Sequence, residues 1–200
     1  VTSPVVPPVV SIAYHSGYGH TAVVAEAVRA GAADAGATVH VVDVAGITDE
    51  QWQLLDASDA IVFGSPTYMG TASGAFHQFA EDTSKRWFTQ AWQDKLAAGF
   101  TNSGSKSGDK LHTLQYFQTL AAQHAMHWVN LGLQPGWNTT EGSENDLNRL
   151  GFFSGAGAQT NNDEGPDAVH KADIATAEHL GRRIAETARV FTAGRAAVAA

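Results

Sequence analysis

Between His15 and Ala22 the chain reads H-S-G-Y-G-H-T-A, with Gly17 and Gly19 bracketed by the hydroxyls of Ser16 and Thr21. Glycine lets a backbone approach a ligand closely and a hydroxyl donates to anionic oxygen, so these types between an apolar run and a helical one suit a phosphate. Two kinds of phosphate fit. Gly17, Gly19 and Ala22 match the dinucleotide fingerprint G-x-G-x-x-A, and Asp43 stands about where a ribose-binding acid belongs. Against a pyrophosphate, His15 and Ser16 separate the glycines from the preceding apolar run. A phosphomonoester has three terminal oxygens. The hydroxyls of Ser16 and Thr21, with the free N–H groups of Gly19, His20 and Thr21 at a helix start, would enclose it. Thr21 also suits a helix cap.

Two further stretches share this chemistry: GSPTYMGTASG at residues 64–74 and TNSGSKSG at residues 101–108. The candidate contacts are Pro66, Thr67, Tyr68, Met69 and Gly70 in the first, and Thr101, Asn102, Ser103, Gly104 and Ser105 in the second. A flavin ring needs backbone donors and acceptors along its polar edge and apolar or aromatic surface on its faces, which small residues beside Tyr68, Met69 and Trp87 would supply.

The elements that must position these loops alternate along the chain. Apolar runs at 9–14, 38–44, 60–65, 96–101 and 126–132 read as strands, and helical periodicity covers 21–35, 49–55, 74–83, 111–125 and 167–191. Such alternation predicts an α/β fold, a flavodoxin-like doubly wound five-stranded parallel sheet of order 2-1-3-4-5 with helices on both faces. Ligands then bind at the carboxyl ends of the strands, near the switch between the first and third. Residues 1–8, with Pro4, Pro7 and Pro8, read as an extended leader. Residues 9–191 form a single domain with an irregular insertion at about 133–166, of the kind that carries function or moves. Residues 192–200 read as a frayed tail.

Composition narrows the partners. With 12 basic and 20 acidic residues the net charge is −8, which lacks the footprint of a nucleic-acid or anionic-membrane binder. There is no cysteine, which excludes disulfides and thiol chemistry and points to a cytoplasmic protein. No apolar run approaches the roughly 20 residues of a membrane span. No histidine or carboxylate spacing suggests a metal site.

Together these residues resemble the flavodoxin-like NAD(P)H:quinone oxidoreductases of the tryptophan-repressor-binding-protein (WrbA) type. The resemblance runs from about residue 9 to residue 180. It rests on Ser16, Tyr18, Gly19 and His20; Gly64, Pro66 and Thr67; Trp87 with Lys95 and Leu96; Ser103 and Gly104; His124 and Met126; and Gly151 with Gly155 and Ala156. It implies FMN as cofactor, NAD(P)H as co-substrate and a quinone-like small-molecule acceptor, with hydride passing from nicotinamide through the flavin. It also implies that the loop at 16–21 holds the FMN phosphate and the other two loops hold ribityl chain and ring. Tyr18, Trp87 and His124 would border the space above the flavin. From the residues themselves, His20 or His124 could donate a proton to an acceptor oxygen, with His20 reading first as a loop-shaping residue. Relatives of this kind assemble as homodimers or homotetramers with the pocket completed by a neighbour, which would cover Trp137, Phe152 and Phe153, although Phe152 and Phe153 could equally pack inside their own subunit. The chain departs from the pattern at Tyr68 and Met69, where relatives carry an arginine and an aromatic residue, and at residues 150–155, where it has L-G-F-F-S-G in place of G-G-T-P-Y-G. A flavodoxin-type electron carrier and an NAD-binding Rossmann-type protein are the alternative readings.

Overall fold

The computed structural model describes residues 6–199. The first apolar run is β1 (Val9–Tyr14), and the alanine-rich segment after it is α1 (His20–Asp34). Then follow β2 (Thr38–Asp43), α2 (Asp49–Ala57) and β3 (Ala60–Tyr68). A two-residue strand, β4 (Thr71–Ala72), folds back on β3 and leads into α3 (Gly74–Asp82), then a short α4 (Ser84–Thr89) that the sequence does not announce. Next come β5 (Leu96–Ser103), α5 (Lys110–Gln123), β6 (His127–Trp128) and β7 (Ala156–Gln159), and α6 (Lys171–Ala199) closes the chain.

The sheet runs β2-β1-β3-β5-β6, with parallel pairing along this path, as the expected 2-1-3-4-5 order requires. Alternate residues of the central strands face opposite ways, as a strand's period of two demands. Val10, Ile12, Ala60, Val62, Leu96 and Ala98 pack under α1 and α6. Ala13, Ile61, Phe63 and Ala97 pack under α2, α3 and α5 around Phe76, Phe79, Trp92 and Phe117. Both faces are thereby covered.

Three sequence expectations need correction. The fifth strand is not the continuous run 126–132: β6 pairs only with Leu96 and Ala97, and the same sheet position is completed by β7, which pairs with Phe100 to Ser103. Most of the fifth strand therefore lies inside the segment read as an irregular insertion. The tail is no separate element either, because α6 is helical from Lys171 to Ala199. Of the expected leader, residues 1–5 lie outside the described residues; Val6, Pro7 and Pro8 belong to no helix or strand, and the Pro8 carbonyl accepts the Thr38 amide at 2.9 Å.

Helices α1 and α6 touch backbone to backbone through two glycines. A side-chain carbon on Gly31 would collide with the Glu178 carbonyl, and one on Gly181 with the Val28 carbonyl. Gly181→Ala gains about 1 kcal/mol of helix propensity but forces the helices apart, an overpacking cost of about 1–3 kcal/mol. Its melting temperature is expected to fall by roughly 3 °C in a thermal scan; a rise would show that the two helices have room to part.

Candidate functional site

The carboxyl ends of β1, β3, β5 and β7 converge on two joined cavities of about 570 and 720 Å3, which share Tyr18, Thr67, Tyr68, Ser103, Gly104 and Asn162. Pockets for small ligands fall in this size range.

The loop after β1 is shaped from within. The Ser16 hydroxyl accepts the amides of Gly19 and Ala22, each at 3.1 Å, so the Gly19 amide is not free as the sequence suggested. A serine oxygen accepting twice still has its own proton to donate. Among the described residues no acceptor pairs with the amides of Gly17, Tyr18, His20 or Thr21, and the Thr21 hydroxyl has no partner. Ser16, Tyr18, His20 and Thr21 line the cavity. The arrangement is a set of unpartnered donors at the positive end of a 15-residue helix, which suits an anion. Gly19 has φ +91°, and an added Cβ would lie 2.6 Å from Pro166 Cγ, so both conformation and space require glycine.

The second loop is a tight hairpin. Tyr68 pairs with Thr71 across Met69 and Gly70, whose φ angles of 47° and 85° are those of a type I′ turn. Pro66 and Thr67 line the first cavity, Met69 and Gly70 the second, and Met69 is fully exposed. The Gly70 carbonyl accepts His112 Nδ1 at 2.6 Å, which ties the turn to α5. The Tyr68 phenol reaches the first loop: its oxygen lies 2.5 Å from where a Gly17 Cβ would stand, and its ring meets Tyr18 edge-on at 6.3 Å. Burial, and to a lesser degree Tyr18, raise the Tyr68 pKa, so the group stays a donor.

Behind this wall the Thr67 hydroxyl joins those of Thr101 and Thr113, both at 2.8 Å, and locks β3, β5 and α5 together. Thr101 is thus a support rather than a lining residue. Asn102, Ser103 and Gly104 line the first cavity, and Ser105 lines the second.

The sequence did not disclose the fourth wall. Thr160, Asn162 and Glu164, which follow β7, line the first cavity, and Gly108 and Asp109 line the second. Thr160 donates to Asn102 Oδ1 at 3.1 Å, Gln159 Nε2 to the Gly104 carbonyl at 2.9 Å, and His20 Nε2 to the Glu164 carbonyl at 2.9 Å. His20 is therefore a loop-shaping residue. The rule that ligands gather beyond strand carboxyl ends identifies this wall once Ala156–Gln159 is recognised as a strand.

Trp87 and His124 do not belong to these cavities. They lie in a separate groove of about 320 Å3 between α3, α4 and α5, with Glu81 and Tyr116. The physical reason is topological: α5 starts at the cavity edge and is 14 residues, about 21 Å, long, so its end at His124 falls at the amino edge of the sheet. His124 is also buried. The Thr83 hydroxyl donates to the Ala80 carbonyl at 2.6 Å and hence accepts His124 Nε2–H at 2.8 Å. Nδ1 is left an acceptor without a partner among the described residues. Burial, reinforced by Arg86, lowers its pKa. Such a histidine is neutral and enclosed, which removes it as a proton donor within this chain. Asp43, the ribose acid of the dinucleotide reading, accepts the Ala45 amide at 2.9 Å and lines neither cavity.

Residues 12–133 match the family described as NADPH-dependent FMN reductase. The chain is 42% identical over 174 residues to a flavodoxin, FldP, of Pseudomonas aeruginosa, covering 87% of this chain and 93% of that one. It is 29% identical over 207 residues to an NAD(P)H dehydrogenase (quinone) of Paracoccus denitrificans, covering 93% and 96%. Among solved structures it is similar to a flavodoxin, WrbA-like protein from Agrobacterium tumefaciens, with TM-score 0.72 and 42% identity over 92% of this chain and 98% of that one.

Proposed function

The chain belongs to the NADPH-dependent FMN reductase family, and on that premise we propose that it is an FMN-dependent oxidoreductase moving two electrons from NADH or NADPH to a quinone or similar acceptor. The observation that carries the reading is the unpartnered donor set at the start of α1, opening into cavities framed by the loops after β3, β5 and β7. The groups present fit FMN. The amides of Tyr18, His20 and Thr21 with the Ser16 and Thr21 hydroxyls would hold its phosphate, and the main chain of residues 66–70 and 102–105 would frame its ring. FMN, when bound, supplies the hydride chemistry. The chain's own part is to orient the ring, exclude water through Tyr18 and Tyr68, and donate hydrogen bonds from backbone and phenol. Steady-state assay of the FMN-loaded protein with NADH, NADPH and benzoquinone tests this; turnover with either nucleotide is expected, and none would refute it.

A second reading, an electron carrier without its own substrate, is favoured by the flavodoxin name of the 42% identical Pseudomonas relative. Absence of nucleotide oxidation alongside tight FMN binding would select it.

We also place the protein in the cytoplasm, as a homodimer or homotetramer. Trp87 and Phe88 are 50% and 82% exposed on α4, and Trp137 and Phe153 are 42% and 58% exposed. Phe152 instead packs against its own core. In such an assembly Trp87 borders the flavin of a neighbouring subunit. Trp87→Ala is expected to leave the FMN dissociation constant within about twofold while lowering kcat/KM for benzoquinone roughly tenfold, about 1.4 kcal/mol. A kcat/KM within twofold of wild type would show that Trp87 borders no flavin.

A further inference from the structure

Lys110, the first residue of α5, is fully buried although local physics disfavours an ammonium there. It lies at the positive end of a helix dipole. Desolvation acts the same way and, with Arg149 adding to it and Asp173 opposing, lowers its pKa to about 8. The group therefore remains mostly charged at pH 7.

What holds the ammonium is main chain. It donates to the Ser105 carbonyl at 2.5 Å and the Lys106 carbonyl at 3.3 Å. An added Cβ on Gly108 would come within 3.3 Å of its nitrogen. Ser105 and Gly108 both line the second cavity, so the charge sits one layer of backbone behind the cavity wall. The wall itself has no lysine or arginine among the described residues, and it includes the acids Glu164 and Asp109. Lys106 turns elsewhere, its nitrogen 5.0 Å from the centre of the Trp137 ring. A methionine would avoid desolvating a charge but would leave the Ser105 and Lys106 carbonyls without this donor, whereas a neutral glutamine could still serve one of them. A charge kept in a place where a neutral donor could do the structural work marks a functional demand.

We propose that Lys110 is an electrostatic positioning residue of the flavin site: through the backbone of residues 105–108 it holds the third loop in shape and favours fully reduced FMN over oxidised FMN. The inference rests on the FMN reading given above. Reduction adds electrons to the ring and leaves extra negative charge near N1, while the phosphate end is unchanged. A cation behind the ring loop therefore acts on the difference between the two oxidation states and not only on binding. This raises the potential of the two-electron couple.

The test compares wild type with Lys110→Met, Lys110→Gln and Lys110→Arg, each stripped of cofactor, reloaded with FMN and titrated against a redox dye of known potential at pH 7. Gln keeps a donor for the Ser105 carbonyl without the charge, and Arg keeps the charge. The neutral variants are expected to lose about tenfold in the preference for reduced over oxidised FMN, which is about 30 mV of the two-electron couple. Lys110→Arg should stay within roughly 10 mV of wild type, a third of that shift. Neutral variants that fold, bind FMN and keep the wild-type potential would overturn the proposal. Failure of both neutral variants to fold would assign Lys110 to stability and equally overturn it. A wild-type protein that binds no FMN would instead refute the cofactor reading before any variant is compared.

Discussion

Gly19→Ala is expected to weaken FMN binding by about 100-fold, close to 2.7 kcal/mol. Alanine in the left-handed region, which Gly19 occupies at φ +91°, costs about 1–2 kcal/mol. Its methyl group would also stand 2.6 Å from Pro166 Cγ. Relief requires either the Tyr18–His20 backbone or the 160–166 segment to move. Both carry walls of the cavity, and the first carries the unpartnered amides on which the phosphate assignment rests. The far-ultraviolet spectrum of the variant should match wild type, because the loop lies outside the sheet core. Fluorescence titration with FMN measures the effect. An affinity within threefold of wild type would mean that these amides do not hold the ligand.

The largest expected stability loss lies at Asp173. Its carboxylate, near the start of α6, takes Arg149 Nε and Nη2 in a two-pronged pair, both at 2.8 Å, and also accepts the Gln159 amide at 3.0 Å. Both side chains are buried, at 3% and 2% exposure. Asp173→Asn leaves Arg149 charged and enclosed, with Lys110 close enough to feel its charge, a cost of about 3–5 kcal/mol. Thermal melts should show a fall of roughly 10 °C. The Gln159 amide opens the loop that carries Thr160, Asn162 and Glu164, so FMN affinity should drop as well. Replacing both partners by apolar residues should recover much of the lost stability, since removing a buried pair entirely leaves no unpaired charge. A melting temperature for Asp173→Asn within about 2 °C of wild type, under 1 kcal/mol, would show that the pair is not stabilising.

The sequence made the sheet legible wherever a strand was a continuous apolar run. VVSIAY, TVHVVD and LAAGFT alternate or cluster β-branched and small apolar residues between turn formers, and they are β1, β2 and most of β5. The loop after β1 was legible as a candidate anion site for the same kind of reason, because glycines and hydroxyls between an apolar run and a helical one suit an anion, and the structure leaves its amides without partners. β7 was not. Ala156–Gln159 carries no β-branched or aromatic residue, and its burial comes from β5 and α6, which only the folded chain supplies. The fourth wall of the cavity was lost with it. The strand run was extended past Trp128 because Val129 and Leu131 are apolar; both are buried, but Leu131 donates its amide to Phe153 and not to β5. His124 and Trp87 illustrate a different limit. Family resemblance joined them to the flavin, whereas the antiparallel run of a helix against its strands sends them to the far edge of the same subunit. Residue type identifies a candidate, and chain direction decides which edge it reaches.

The most direct test of the central claim is titration of the cofactor-free protein with FMN, followed by flavin fluorescence and by thermal melting. One FMN per chain, quenched on mixing, with a melting temperature raised by roughly 5–10 °C at a hundredfold excess over the dissociation constant, is the predicted result. Unquenched flavin and an unmoved melting temperature at saturating FMN would contradict it.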